Sequence, residues 1–303
     1  MDDIVIEKQD LPTPFNRDLS KVLRNLDRST ERGFVGAANH PLTAAFLHVG
    51  MTLIRNELGP GAIRRPAVPG EEGSVERRAL DFLSQREVVK QMRRIEKPFE
   101  RNDSASGALR RRWRSHSHYI ADLLRFGLWA EQYGTEYTLM RQERERWLMD
   151  PRHDLAEAVH STAAWELSLL TKLPIFRLHL LAISTAEGDE VIREAIAGNY
   201  REVLSDWTGT YERAFLARGL RPRPGASFAK LADIVAAMAE GMAMRQLGDA
   251  RSPVWTSKDC SLFGEGAIWL LLGCMQPAEE DDQRTAEDRV REMAGPRTLH
   301  AAE

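Results

Sequence analysis

Apolar positions along this chain recur at steps of three and four, the spacing that lines up one face of an α-helix. The clearest run follows residue 225, where Phe228, Leu231, Val235, Met238 and Met242 share a face. Ser227 is suited to cap it, although Lys230 stands where a capping box has Glu. Leu19, Val22, Leu23 and Leu26 predict an earlier helix over 17–32. A second is predicted over 41–58, with Pro41 in its first turn and Gly59, Pro60 and Gly61 stopping it. Residues 59–73 are rich in Pro and Gly and predict a linker or exposed loop. Helical patterns then cover 74–97, with a split at Ser84 where Ser84 and Glu87 form a capping pair, and 106–132. Further patterns run from 150 to 164 and on towards Leu173, then over 175–186, 189–218, 228–247 and 262–275. Pro98 and Pro174 punctuate them, and Gly219 fits the left-handed residue after a helix end. No stretch sustains period-two alternation and no repeat is present. The pattern predicts an all-α chain without a sheet, with a domain join at about 130–155.

Composition narrows the picture. With 303 residues the chain has room for one large or two small domains. A net charge of -3 and a pI near 6.3 give no global attraction to nucleic acid, so any such site is a local basic patch. Two cysteines, Cys260 and Cys274, are too few for a disulfide framework, and the expectation is a reduced, cytoplasmic protein. The opening MDDIVIEKQD is acidic and lacks the apolar stretch of a signal peptide. The longest apolar run, 267–272, falls far short of the roughly 20 residues that span a membrane. Residues 276–303 are acidic and poor in apolar positions, which predicts a mobile tail or a solvated helix.

Positive charge is densest at Arg110, Arg111, Arg112 and Arg114 around Trp113, with Lys90, Arg93, Arg94 and Lys97 upstream. Arginines supply phosphate contacts and read guanine in the major groove; a solvated basic face is the alternative. The stretch SASGALRRRWRSHSHYIADLL resembles the recognition helix and following turn of the TetR family of transcriptional regulators. Residues 199–247, with the joint GLRPRPG followed by LADIVAAMAEGMAMR, resemble that family's ligand-binding and dimerisation half. Leu109 and Trp113 stand at the family's Leu and Phe positions, Ser115 at its Ser, and Tyr119 near its Leu. Arg110 replaces a Tyr and His116 a Lys, both phosphate-touching in the family, and IEKPFERND stands where the family has a tight turn.

The resemblance implies an N-terminal extension over 1–40 and a divergent helix-turn-helix domain over 41–132. A helical ligand-binding and dimerisation domain over 150–275 and the acidic tail over 276–303 would follow. Taking 41–58 as the first helix of the helix-turn-helix makes 59–73 an insertion; taking 74–83 makes everything before it an extension. The implied DNA-binding residues are Ser104, Ser106, Arg110, Arg111, Arg112, Arg114, His116 and Tyr119. The implied partners are a near-palindromic DNA operator, a second copy of the chain and a small, mainly apolar effector, with no cofactor. Met238, Met242, Ile268, Leu271, Leu272 and Met275 would form the dimer interface. Trp165, His179, Trp207 and Tyr211 would line an effector cavity between 155–185 and 199–215; core packing is the alternative for each.

Catalytic constellations are thin. Gly264-Glu265-Gly266 lacks the strand and third glycine of a dinucleotide fingerprint, and no Walker motif is present. His153, Glu157 and His160 share a helical face of the kind that binds zinc, but no further ligand pattern follows. The expectation is a non-enzymatic DNA-binding regulator. The alternative is a helical ligand-binding or interaction protein of the same descent that does not bind DNA.

Overall fold

The structure, a computed structural model, describes residues 12–60, 62, 80–94, 105–249, 251–257 and 260–294. In chain order its helices are α1 (Glu31–Ala38), α2 (Pro41–Leu58), α3 (Gln85–Met92), α4 (Ala105–Arg110), α5 (His116–Leu128), α6 (Gly134–Met149), α7 (Leu155–Lys172), α8 (Pro174–Ile183), α9 (Glu190–Ala217), α10 (Phe228–Gly248), α11 (Leu262–Cys274) and α12 (Ala286–Ala294). Two short strands, β1 (Leu220–Pro222) and β2 (Met275–Pro277), pair antiparallel with Arg221 opposite Gln276. The chain is thus predominantly helical, and this pair corrects the sheet-free expectation: three residues are too few for alternation to register. The chain forms two compact units. One comprises Met1–Glu136 with Lys172–Tyr200, the other Tyr137–Thr171 with Arg201–Glu303.

Local signals set most helix ends. The His40 ring accepts the Leu42 N–H ahead of Pro41, and Ser84 accepts the Glu87 N–H as the pattern predicted. Ser115, Ser227 and Ser261 cap α5, α10 and α11 in the same way. Pro174 separates α7 from α8, and Gly219, at φ +68°, leaves α9 in the left-handed region. The helix predicted over 106–132 is broken instead, because Ser115 starts a new helix after α4 ends at Arg110. The helix expected from 150 begins at Leu155, where Asp154 accepts the Glu157 N–H. α6 carries mostly polar positions and offered no apolar period to read.

The helix predicted over 17–32 is absent. Only Leu19–Lys21 turn, as a 3-10 helix, and α1 starts at Glu31 behind the Thr30 cap. Leu19, Val22, Leu23 and Leu26 are nevertheless buried. Beyond the one turn in which Val22 and Leu23 donate to the Leu19 carbonyl, their segment satisfies its backbone through distant partners. Asn39 accepts the Leu19 N–H at 3.0 Å, and the Asp122 carboxylate accepts the Arg24 and Asn25 N–H groups at 2.9 and 3.1 Å. Leu26 bridges to Trp113, and the Asp27 N–H donates to the Arg112 carbonyl at 2.7 Å.

The core of this unit closes around Trp113. Its indole N–H donates to Asp122 at 2.9 Å, and its ring meets Phe46 and Tyr119 edge-on. The Tyr119 hydroxyl donates to the Phe46 carbonyl at 2.9 Å. α2 and α5 approach closely at Gly50, where a Cβ would lie 2.5 Å from that hydroxyl.

In the other unit, Arg218 at the end of α9 donates to the carbonyls of Leu148, Trp147, Asp150 and His153 at 2.6–2.9 Å, joining the α6–α7 corner to α9. Buried Arg223 donates to Gln276 at 3.1 Å and to Asp282 at 3.4 Å. Arg284 and Arg289 also bind Asp282 and hold its carboxyl well below the usual range. The described part of the acidic tail is anchored at Asp282 and then runs into α12, a mostly exposed helix, the second of the two expected forms. Residues 295–303 lie outside the described residues.

Asp122 is fully buried, and burial pushes its carboxyl up against the pull of the donors from Arg24, Trp113 and Asn25. Asp122→Ala leaves these donors unpaired and is expected to cost roughly 3 kcal/mol. A fall in the urea midpoint at constant slope checks this, and an unchanged midpoint contradicts it.

Candidate functional site

The basic segment crosses the turn between α4 and α5. Leu109 and Trp113 are buried, while Ser106, Arg110, Arg111 and Arg114 are exposed. Arg93 and Arg94 at the end of α3 are exposed as well, and α3 packs on α4. Ser104 and Lys97 lie outside the described residues.

Two residues expected on the DNA face are in the core. Arg112 is buried: its guanidinium donates to Thr43 Oγ1 at 3.1 Å and the Ala108 carbonyl at 3.3 Å, and lies 3.0 Å from His40 Nδ1. Burial and then the Arg112 charge lower the His40 pKa, which keeps its ring a neutral acceptor. The turn after α4 points Arg112 back at α2, so it anchors rather than reaches outward. Tyr119 is 1% exposed with its hydroxyl committed to Phe46, and burial raises its pKa. His116 is partly buried against the Tyr119 ring, and burial lowers its pKa, which favours the uncharged ring. Arg28 donates to the Arg111 carbonyl at 3.0 Å, so residues 26–28 line the backbone of the basic turn.

In the unit containing α7, α10 and α11 there is a cavity of about 40 Å³, partly open to solvent. Val159, Phe215, Leu231, Val235, Phe263 and Leu271 contribute apolar walls. Thr162, also on the wall, spends its hydroxyl on the Ala158 carbonyl at 2.8 Å. The remaining polar residues there are Glu166 and Tyr211. Burial raises the Glu166 pKa to about 7; Arg141 pulls it down and Glu240 pushes it up. Arg141 is engaged elsewhere, with Glu145 at 3.1 Å and Asp206 at 3.4 Å. Burial, and then the Glu166 charge, raise the Tyr211 phenol.

Of the four residues expected to share a ligand cavity, Tyr211 lines this one. Trp207 sits a turn away, its ring 5.4 Å from Tyr211, with the Arg141 guanidinium 6.0 Å from its centroid. Trp165 lies beside Tyr137 at 5.8 Å. His179 belongs to the other compact unit, buried, with Nε2 3.2 Å from the Tyr200 hydroxyl; burial lowers its pKa to about 4. It is a core histidine. Glu166 escapes a reading of the sequence, although a signal for it exists. Val159, Thr162, Ala163 and Glu166 follow the steps three, one and three, which set a carboxyl on the apolar face of α7.

Of the expected interface residues Leu272 faces outward, and the others face inward to differing degrees. Met275 is buried in β2, Leu271 lines the cavity, and Ile268 packs on the cluster around Leu148 and Ala214. Met238 and Met242 are half-buried, Met238 close against Gly266. α10 and α11 pack on each other and absorb these positions. The apolar side chains left outside are Ile234 and Met244 on α10, and Trp269 and Leu272 on α11, the last two 66% and 72% exposed. His153 precedes α7 and meets the Trp147 ring edge-on, and no group of three His, Cys, Asp or Glu among the described residues is placed to hold a metal. No helix among the described residues is long and apolar enough to cross a membrane.

No family model matches the chain, and neither does any curated protein or solved structure.

Glu166 carries a stability signature. Its folded pKa, about 7, exceeds its ordinary 4.5, so the folded state binds more protons between those values. Ionising it therefore costs stability as pH rises from about 4.5 to 7, by roughly 3 kcal/mol in all. Glu166→Gln is expected to be more stable than the parent at pH 8 and equal to it at pH 4. Denaturant titrations at the two pH values check this, and a variant less stable at pH 8 contradicts it.

Proposed function

We propose that the chain is a DNA-binding regulator of the TetR type, acting in the cytoplasm as a homodimer and responding to a small, mainly apolar effector. The observation that carries this reading is the helix order in the first unit. The long α2 packs on the eight-residue α3, α3 on the short α4, and α5 returns to α2, with Leu109 and Trp113 inward and Arg110, Arg111 and Arg114 outward. That order takes 41–58 as the first helix of the helix-turn-helix. The outward cations supply the phosphate contacts that dominate affinity, and one of them would read a guanine. The cavity beside Tyr211 supports the effector half of the reading.

The six-residue α4, and the cover that residues 26–28 lay over the backbone of the basic turn, favour the second reading, a helical ligand-binding or interaction protein. A selection from random duplexes at stated salt separates the two. The regulator is expected to enrich a near-palindromic site. Arg110→Ala and Arg114→Ala are then expected to lower affinity on every duplex. Each is expected to flatten the salt slope by about 1 where the arginine neutralises a phosphate. If one of them reads a base, the cost is roughly 1–3 kcal/mol with relaxed preference at one position. Binding no tighter than ~10⁻⁴–10⁻⁶ M on every duplex gives the second reading.

The second copy is expected on the outer face of α10 and α11, which leaves the apolar side chains Ile234, Met244, Trp269 and Leu272 exposed. Trp269→Glu with Leu272→Glu is expected to leave a folded monomer by sedimentation. A parent chain already monomeric at micromolar concentration contradicts this interface.

A further inference from the structure

Glu166 is a half-buried carboxyl for which no hydrogen bond or ion pair is seen among the described residues, on a mostly apolar cavity wall whose other polar residues are Thr162 and Tyr211. Groups of this kind are costly unless something pairs with them. The titratable and charged groups that act on it are Arg141, Glu240, Tyr137 and Tyr211. Arg141 is the cation among them, and it already holds Glu145 and Asp206. Glu240 adds a second negative charge. The electrostatic balance at this wall therefore lacks a positive charge and repels an anion. At about 40 Å³ the cavity holds roughly three waters, which excludes a fused-ring body; an unbranched chain would place its head group inside and its remainder through the open side.

We infer that this cavity takes a small primary amine with an unbranched apolar chain, its ammonium against the Glu166 carboxylate and its chain along Val159, Leu231, Phe263 and Leu271. The inference rests on the effector half of the regulator reading and names the class of effector. Tyr211 stands beside the ammonium as the second polar wall residue. The ligand completes a charge pair that the folded chain leaves open, and it stabilises the fold by mass action.

The test uses the full chain without DNA and three probes of one shape: n-hexylamine, n-hexanol and n-hexanoate. At pH 8 hexylamine is expected to raise Tm and to bind at least about tenfold tighter than hexanol. Hexanoate is expected to give no shift. Glu166→Gln is expected to fold and to show no preference for the amine over hexanol. In the parent, hexylamine affinity is expected to fall several-fold from pH 8 to pH 6 as Glu166 takes up a proton, while hexanol affinity stays constant. The inference is overturned if hexanol or hexanoate binds as tightly as hexylamine, or if the amine preference survives Glu166→Gln. Failure of all three probes to bind overturns it together with the effector half of the reading. Amine binding through Glu166 in a chain that binds no duplex leaves the inference standing while the DNA-binding reading falls.

Discussion

The first unit depends on a buried carboxylate. Asp122 sits on α5 with donors from Arg24, Asn25 and Trp113 around it. Without it, an irregular segment would bury its backbone N–H groups unpaired, which apolar packing does not offset cheaply. With it, Leu19, Leu23 and Leu26 enter the core without forming a helix. The same carboxylate fixes the Trp113 ring, and Trp113 fixes the turn between α4 and α5. The outward set of Arg110, Arg111 and Arg114 and the inward Arg112 follow from that turn. A polar hub thus orients a basic surface to which it contributes nothing directly.

The second unit holds the opposite case. Glu166, half-buried beside the apolar face of α7, has no donor answering it among the described residues, and its surroundings push its carboxyl up to about 7. Elsewhere in this unit buried or half-buried charge is well matched. Arg218 fills its guanidinium with four carbonyls, and Arg223 with Arg284 and Arg289 converges on Asp282. Against these engaged guanidinium groups, the cavity carboxyl of Glu166 is the contrast from which the proposed amine site is argued.

The sequence by itself determined the helical class, the punctuation and the caps. Pro41, Ser84, Pro174, Gly219 and Ser227 act within a turn of where they stand, so their effects are local and readable. It also determined that Leu109 and Trp113 point inward, because a step of four keeps two side chains on one face. Tertiary structure alone decided what depends on partners far away in the chain. The segment at 17–32 has a helical apolar spacing but takes its hydrogen bonds from Asn39, Asp122 and Arg112, so spacing misled. Arg112 reads as one arginine in a run until Thr43 and His40 close around it. Apolarity nominates interface side chains, whereas packing of α10 on α11 decides which of them face out: Trp269 and Leu272 do, Leu271 and Met275 do not. His179 and Tyr211 look equivalent in an apolar pattern, and only the division of the chain into two compact units puts them in different cores. Periodicity reports which face of a helix is covered, and the identity of what covers it is a property of the fold.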